Sequence, residues 1–278
     1  QEFGPLYVAE VELDFNNQFR RVGFIGQNRS ERNGAWLPEH HQQAVKALRQ
    51  FARHITPVVT LIDTPGADAS EQANLDNQAH SISRLISEMS NIDVPTVGII
   101  LGAGYSGGAI PLASTNILLS VRDGIFNTIQ PQGLASIARK YNLSWQECAK
   151  YVGVSAYELQ LRNVIDGIID YAPGDRIDQL QNLSDAITTS ILSIETGAEN
   201  FARENPYLMD HYLRSVERYL NPSNKLVALE KGSSLNLASS PSEHHNLFRM
   251  TYRYMRYLTL RKRISSTTTG HYSRLAEV

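Results

Sequence analysis

Short apolar runs alternate with amphipathic segments along the first 170 residues of the chain. The runs have the length of buried strands, whereas the segments between them repeat their apolar positions every three or four residues, as helices do. Val45, Leu48 and Ala52, for example, share one face of a helix predicted to begin at Pro38. The predicted strands cover residues 6–13, 19–25, 57–62, 94–101, 116–121, 124–129 and 164–170. Strands that alternate with helices in this way indicate an α/β fold with crossover connections.

Local signals place further helices and loops between these strands. Residues 67–74 are polar and predict a loop, and a helix follows with Ala79, Ile82, Ile86 and Met89 on its apolar face. A serine followed three residues later by a glutamate is the spacing of a capping box, which marks the start of a helix. The two capping boxes are Ser144-x-x-Glu147 and Ser155-x-x-Glu158.

The last hundred residues follow a different pattern, in which strands are absent from the prediction. The predicted elements are helices over residues 177–194, 207–220 and 240–264, and a serine-rich stretch over residues 225–239. We therefore expect a first domain over residues 1–174 and a helical extension over residues 175–278.

The predicted helix over residues 240–264 interleaves tyrosines with arginines and a lysine. One interpretation is contact with a phosphate-bearing ligand or a partner subunit. The other is a helix that docks its aromatic side on the protein while its arginines stay solvated. We favour the second, because long basic side chains usually keep their charged heads in water.

Composition limits the classes of partner. The chain has 278 residues, of which 42% are hydrophobic, and a formal net charge of −2. This balance gives no general basic field for nucleic acid or for an acidic membrane surface. The sequence also contains no apolar run long enough to span a bilayer. We therefore expect neither a nucleic-acid partner nor a membrane partner.

Cys148 is the single cysteine of the sequence. One cysteine excludes an intramolecular disulfide and a zinc site built from several cysteines. We expect no metal cofactor and a reducing, cytoplasmic location.

The most informative stretch is VPTVGIILGAGYSGGA, residues 94–109, in which an apolar strand is predicted to break into a glycine-rich turn and then to open a short helix. Its glycines are Gly102, Gly104, Gly107 and Gly108. Glycines uncover backbone N–H groups, and a helix start adds unpaired N–H groups and the positive end of the helix dipole. The stretch therefore predicts a socket for negative charge.

Three kinds of socket fit this pattern. A dinucleotide-binding turn is disfavoured, because Pro111 limits the following helix to a length too short for a crossover helix. A GTPase-like site at Asp63-Thr64-Pro65-Gly66 is disfavoured, because the sequence has no phosphate-binding G-x-x-x-x-G-K-[ST] loop. We prefer the third, an oxyanion hole in which backbone N–H groups bind an enolate-like oxygen.

An ordered series of segments resembles the alpha half of the acetyl-CoA carboxylase carboxyltransferase, a member of the crotonase superfamily. The resemblance covers residues 19–170, about half of the chain. The segments that carry it are VGFIGQNRSER, PVVTLIDTPGA, VPTVGIILGAGYSGGA, IQPQGLAS and VIDGIID. A lone G-x-G-x-x-G would be weak, whereas several matches in the same order and at similar spacing are specific.

This resemblance implies a fold and an activity. The fold would be a crotonase/ClpP-like spiral of ββα units with a C-terminal helical extension. The chain would be the biotin-side, alpha-type half of an acyl-CoA carboxyltransferase, which moves a carboxyl group from carboxybiotin to an acyl-CoA such as acetyl-CoA. The implied cofactor is biotin on a carrier protein. The implied partners are a beta-type carboxyltransferase half and the biotin carboxyl carrier protein, within a homo- or hetero-oligomer.

The resemblance also implies site residues, carried over by position. The N–H donors for the ureido oxygen of biotin would belong to Gly104 and Tyr105. The other implied substrate-binding residues are Gly66, Ala67, Ser106, Gly107, Gly108, Gln132 and Gly133.

This sequence departs from the family pattern at three positions. Ala103 replaces a glutamate, Tyr105 replaces the second glycine of the donor pair, and Gln132 replaces the glutamate of a P-E-G turn. These changes leave two alternatives open. One is a decarboxylase subunit that acts on malonyl or glutaconyl thioesters. The other is a non-catalytic assembly or regulatory subunit, in which Tyr105 fills the former pocket.

Overall fold

The computed structural model describes residues 2–152, 154–171, 180–206, 249 and 251–263. Its strands are β1 (Glu2–Phe3), β2 (Leu6–Asp14), β3 (Phe19–Gln27), β4 (Val58–Thr64), β5 (Thr96–Tyr105), β6 (Ile117–Val121), β7 (Ile125–Asn127) and β8 (Gly167–Ile169). Its helices are α1 (Pro38–Arg53), α2 (Glu71–Leu75), α3 (Gln78–Asn91), α4 (Ser106–Ala113), α5 (Pro131–Ile137), α6 (Trp145–Val152), α7 (Ala156–Leu161) and α8 (Leu180–Glu204). Residues 251–263 are also helical and are called the C-terminal helix below.

Some predicted features lie outside the described residues. They are the helix over residues 207–220, the serine-rich stretch over 225–239, the first part of the helix over 240–264, and the domain boundary at residue 174. The division into two domains therefore stays a prediction. Within the described ranges, no helix is long and apolar enough to cross a membrane.

The strands form one mixed sheet in the order β1-β2-β3-β4-β5-β6-β8. The pairs β1 with β2 and β2 with β3 are antiparallel, and all later pairs are parallel. β5 lies centrally, since it pairs with β4 and β6 along its first part and with β7 at residues 103–105. Parallel strands end at a common edge, which we call the carboxyl edge. In α/β sheets this edge is where binding sites are usually built.

Helices cover both faces of the sheet. Ile62 and Ile100 point to one face and pack in a core that includes residues of α1, α3 and α4. Val59 and Ile99 lie three residues and one residue before them in the same strands, so they point to the other face and pack with Ile187 of α8 and its apolar neighbours. This division follows from the alternation of side chains along a strand.

The predicted α/β pattern is confirmed for every strand, and both capping boxes form. The Oγ of Ser155 accepts the N–H of Glu158, whose carboxylate in turn accepts the N–H of Ser155. At the first box, the N–H of Ser144 donates to the carboxylate of Glu147 over 2.7 Å.

The prediction of a glycine-rich turn at residues 102–105 is wrong. β5 continues through Tyr105, and the chain reverses at Ser106, whose φ is +57°. Glycines alone do not distinguish a turn from a strand, because they also occur inside strands where a neighbouring group packs closely. At Gly104, an added Cβ would lie 2.8 Å from the ring of Phe126 and 2.9 Å from the side chain of Ile62.

Two helical predictions also need correction. The predicted loop over residues 67–74 contains α2, whose N-cap Ser70 accepts the N–H of Ala73 over 3.2 Å. In α3 the buried positions are Gln78, Ser81, Leu85 and Met89, whereas Ala79 is exposed. The buried face of α3 thus includes polar residues, which a search for apolar periodicity does not register.

The interpretation of the C-terminal helix favoured from the sequence is wrong for Arg256 and Arg263, which are buried, whereas Tyr252 packs against the core and Arg261 and Lys262 are exposed as expected. Arg256 is fully buried and Arg263 is 8% exposed, whereas Tyr257 is 56% exposed. Burial of a guanidinium is costly unless its N–H groups find acceptors. Here backbone carbonyls at the ends of several elements provide them.

His41 is a buried histidine on α1. Its ring packs edge-on against Trp36, with 5.5 Å between ring centroids, and its Nδ1 lies 3.2 Å from the Oγ of Ser81. The Ser81 hydroxyl donates to the carbonyl of Gln78 over 2.8 Å, so it accepts the N–H of His41. Burial lowers the pKa of His41 to about 4. The imidazole is therefore neutral at physiological pH.

We expect the free energy of unfolding to fall as the pH is lowered from 6.5 to about 4. In this window the unfolded chain takes up a proton at His41 that the folded chain does not bind. The difference corresponds to roughly 3 kcal/mol. In urea unfolding at several pH values, His41→Gln should flatten this part of the profile. The exposed His80→Gln is the matched control and should keep the wild-type slope; an unchanged slope in His41→Gln would contradict the assignment.

Candidate active site

The site lies at the carboxyl edge, where β5 passes directly into α4. β5 ends at Tyr105 and α4 begins at Ser106. The φ of Ser106 is +57°, in the left-handed region of backbone conformation. A helix leaves its first N–H groups without partners inside the helix, and these groups carry the positive end of its dipole. The first turn of α4 contains Gly107 and Gly108, so no side chain covers its backbone there.

Gly108 brings this first turn against the loop that follows β4. A Cβ at Gly108 would lie 2.5 Å from the carbonyl carbon of Gly66 and 2.6 Å from the nitrogen of Ala67. Both atoms belong to the backbone, so no small side-chain adjustment could make room. Gly66 itself has a φ of +144°, a backbone conformation that residues other than glycine rarely adopt. The two glycines therefore allow the backbones of two separate segments to meet.

A buried glutamine at the end of β3 stabilises this junction through two hydrogen bonds. The amide nitrogen of Gln27, at the end of β3, donates to the carbonyl of Gly108 over 2.8 Å. Its amide oxygen accepts the N–H of Asp63 over 3.0 Å. One side chain thus links the ends of β3 and β4 to the first turn of α4. The sequence analysis did not single out Gln27, although its position directly after an apolar strand was visible.

Local hydrogen bonds hold the loop after β4. The Oγ1 of Thr64 donates to the carbonyl of Gly66 over 2.8 Å and accepts the N–H of Gly66 over 3.2 Å. Gln130 donates to the carbonyl of Pro65 over 2.7 Å and is the N-cap of α5. The predicted residues Gln132 and Gly133 lie in α5, two and three residues after Gln130. The start of α5 is thereby tied to the same loop.

The structure thus brings together most of the residues implied by the resemblance. Gly66, Ala67, Ser106 and Gly108 meet at the junction of loop and helix, with Gly107 in the same helical turn. Gly107 faces α3, since its Cβ would lie 3.3 Å from the side chain of Ile82. Gln132 is exposed to solvent.

Gly104 and Tyr105 lie inside β5 and not in a turn. Gly104 pairs with Phe126 of β7 on one side and with Thr64 of β4 on the other, and Tyr105 pairs with Asn127. In a parallel ladder, the peptide groups of paired residues are used for strand pairing. Tyr105 is 8% exposed, and burial raises the pKa of its phenol, which therefore stays protonated at neutral pH.

Ion pairs surround the junction. Arg29 binds Asp63 over 2.8 Å, and the same carboxylate oxygen accepts the N–H of Ala103 over 3.1 Å. Arg32 binds Asp68 over 2.5 Å. Hydrogen bonds from Ser70, followed by the contact with Arg32, lower the pKa of Asp68 to about 2. Asp68 is thus ionised at neutral pH, and the contacts of both carboxylates hold loops in place.

Among the described residues, no group of three or more histidine, cysteine, aspartate or glutamate side chains could hold a metal ion. The first turn of α4 places backbone N–H groups and the positive end of the helix dipole at this edge.

A profile of the family described as acetyl co-enzyme A carboxylase carboxyltransferase-like matches residues 23–208. The chain belongs to this family. The alpha subunit of acetyl-coenzyme A carboxylase carboxyl transferase from Cereibacter sphaeroides is 36% identical over 148 residues, which are 53% of this chain and 46% of that protein. A relative from Natranaerobius thermophilus, named subunits beta/alpha, is 27% identical over 67% of this chain and 31% of its own length. The chain thus spans about half or less of these two curated relatives.

Similarity to solved structures concerns the fold. Transcarboxylase 12S, solved as a hexamer assembly, superposes with a TM-score of 0.59 at 16% identity and covers 68% of this chain and 35% of its own. The crotonase-like α/β fold implied by the resemblance is confirmed.

We expect Gly108→Ala to displace the peptide group between Gly66 and Ala67. Overpacking against backbone costs about 1–3 kcal/mol, so the free energy of unfolding in urea should fall by that amount. Gly197→Ala is the matched control, because Gly197 is a helical glycine in α8 whose added Cβ would meet only the flexible end of Met255 at 3.3 Å. Helix propensity predicts that this control gains up to about 1 kcal/mol. Equal stability of the two variants would contradict the tight junction.

Proposed function

We propose that this chain is the biotin-side, alpha-type half of an acyl-CoA carboxyltransferase. The observation that carries the proposal is the junction at which Gly108 meets the peptide group between Gly66 and Ala67. It allows backbone N–H groups from two segments to point at one oxygen, which is the structural requirement of an oxyanion hole. The family of the chain supports the same conclusion.

The proposed site uses little side-chain acid or base. Biotin, held on its carrier protein, would supply the carboxyl group and accept the proton from the acyl-CoA. The part of this chain is to stabilise the negative charge on the ureido oxygen of biotin. Gly66 and Gly108 have no side chains, which fits the close approach of the ureido group to the backbone there. Asp63 and Asp68 are engaged by Arg29 and Arg32, which supports a positioning role for both carboxylates.

Two sets of N–H donors compete within this proposal. The resemblance assigns the donors to Gly104 and Tyr105. The pairing of Gly104 with strands on both sides favours instead the N–H groups of Ala67 and of the first turn of α4, including Gly108. A backbone ester at one position replaces a single N–H with oxygen and leaves the side chain unchanged, so it can separate the two sets.

Tyr105 is the residue that decides whether the site is open. Gly104 faces Ile62, Phe126 and Ala109, so the next residue of the strand faces the other side of the sheet. This direction supports a phenol ring that lies away from α4. We therefore propose an active half, in which Tyr105 does not block the junction.

The proposed partners are a beta-type carboxyltransferase half and a biotin carboxyl carrier protein, with acyl-CoA as the substrate. The relative from Natranaerobius thermophilus is named for both beta and alpha subunits, which supports a site shared by two halves. The hexamer named for transcarboxylase 12S supports assembly into an oligomer. The cytoplasmic location stays a prediction.

The test is an isotope assay of carboxyl transfer from malonyl-CoA to biocytin, run with the chain alone and with a beta-type half. We expect activity only when both halves are present, because each half supplies one oxyanion site. Product analysis separates transfer from decarboxylation, since only transfer yields carboxybiocytin. No activity with a competent partner would overturn the proposal and favour an assembly subunit.

A backbone ester at Gly108 should then lower the rate of transfer by about a hundred- to a thousandfold, the usual cost of one oxyanion donor. An ester at Tyr105 should have a smaller effect if its N–H belongs to the sheet. The reverse order of the two effects would assign the donors to Gly104 and Tyr105, as the resemblance implies. The matched control is an ester at Gly197, which is far from the site in sequence and lies on α8.

A further inference from the structure

Four arginines of the C-terminal segment form one surface, which we call the arginine face: Arg249, Arg253, Arg256 and Arg263. Arg249, Arg256 and Arg263 are spaced by seven residues, close to two turns of a helix. This spacing places them on the same side of the C-terminal helix. They lie against the amino edge of the sheet, opposite to the candidate active site.

Three of these arginines bind carbonyl groups at the ends of three different helices. Arg249 donates to the carbonyl of Ala52, one residue before the end of α1, over 3.1 Å. Arg256 donates to the carbonyl of Ile92, the C-cap of α3. A helix leaves its last carbonyls without partners and carries a partial negative charge there. The arginine face therefore supplies hydrogen-bond donors and positive charge to the carbonyl groups at these helix ends.

Arg263 makes the corresponding contact with α4, the helix of the candidate site. Its Nη1 donates to the carbonyl of Ala113, the last residue of α4, over 3.4 Å, and to the carbonyl of Thr115 over 2.9 Å. Its Nη2 donates to Asp166 over 2.6 Å. Asp166 is in turn fixed to β6, because its carboxylate accepts the N–H of Leu118 over 2.8 Å. Arg263 thus joins the end of α4 to the sheet.

α4 is a helix for which such support matters. It has eight residues, so its two ends are about 12 Å apart. Pro111 lies inside it and cannot donate the hydrogen bond that a helix position normally makes. Contacts at both ends therefore hold α4: Gln27 binds the carbonyl of Gly108 near the site, and Thr60 binds the carbonyl of Leu112 over 2.5 Å at the other end.

We propose that Arg263 is a positioning residue for the active site. It fixes the carboxyl end of α4 and thereby keeps Gly108, at the other end, against the loop that follows β4. The C-terminal helix would then be part of the machinery of the site, although it lies at the opposite edge of the sheet. Because Asp166 balances the charge of Arg263, the effect is one of position and not of long-range charge. This inference rests on the proposed function for its catalytic readout alone.

The test compares Arg263→Met with Arg249→Met in the full chain, assembled with a beta-type half. Arg249→Met is the matched control, because Arg249 also binds a helix end and a carboxylate, Asp93 over 2.8 Å, but none of its described contacts is with α4. We expect Arg263→Met to lower kcat for carboxyl transfer about tenfold or more, with KM for the acyl-CoA unchanged, since small displacements of a site have effects of this size. Arg249→Met should stay within about twofold of the wild type.

A second readout does not depend on activity. Deuterium uptake by the backbone of residues 106–113 should become faster in Arg263→Met and stay at the wild-type rate in Arg249→Met. Equal uptake by both variants, or no change in either, would overturn the inference even if the chain has no transferase activity. An unchanged kcat in Arg263→Met with a working enzyme would overturn it as well.

Arg263→Lys keeps the inference testable if the methionine variant does not fold. Lysine retains a cation beside Asp166 but lacks the two-nitrogen fork that binds Asp166 and the carbonyls of Ala113 and Thr115 at the same time. We expect an intermediate kcat and an intermediate rate of deuterium uptake in residues 106–113. Wild-type values for both quantities in a folded Arg263→Lys protein would show that the contact with α4 is dispensable.

Discussion

Gly108 lies so close to the peptide group between Gly66 and Ala67 that no side chain fits between them, and the carboxyl edge is arranged around this contact. A junction of two backbones has no side chains of its own to hold it, so its precision must come from neighbours. Gln27 supplies part of this support by binding both Gly108 and Asp63. The buried amide is effective because each of its groups has a partner.

The central sheet fixes one end of α4, the helix that carries Gly108. β5 pairs with β4, β6 and β7, and α4 follows it without a linking loop, so the position of α4 depends on the sheet at one end. Arg263 and Thr60 bind carbonyls at the other end of α4. α4 is therefore held at both of its ends. The buried Arg263 is one of the groups that hold it, although this residue lies far from the candidate site.

The resemblance and the structure agree on the fold but assign the site in different detail. The glycines of residues 102–108 were identified from the sequence as the place where a backbone must be approached closely. Which neighbour approaches each of them was visible only in the structure. Gly104 accommodates Phe126 and Ile62 within the protein, whereas Gly108 accommodates the loop of the candidate site.

The sequence by itself determined the alternation of strands and helices, both capping boxes and the membership of an α/β fold, because side-chain periodicity and capping are local properties. It did not determine that β5 runs through Tyr105, since that depends on pairing with β7. Nor did it reveal that Arg256 and Arg263 are buried. Their partners are mostly backbone carbonyls, which every residue carries and which therefore leave no mark in a sequence. Only the tertiary structure decides which of these carbonyls lie within reach.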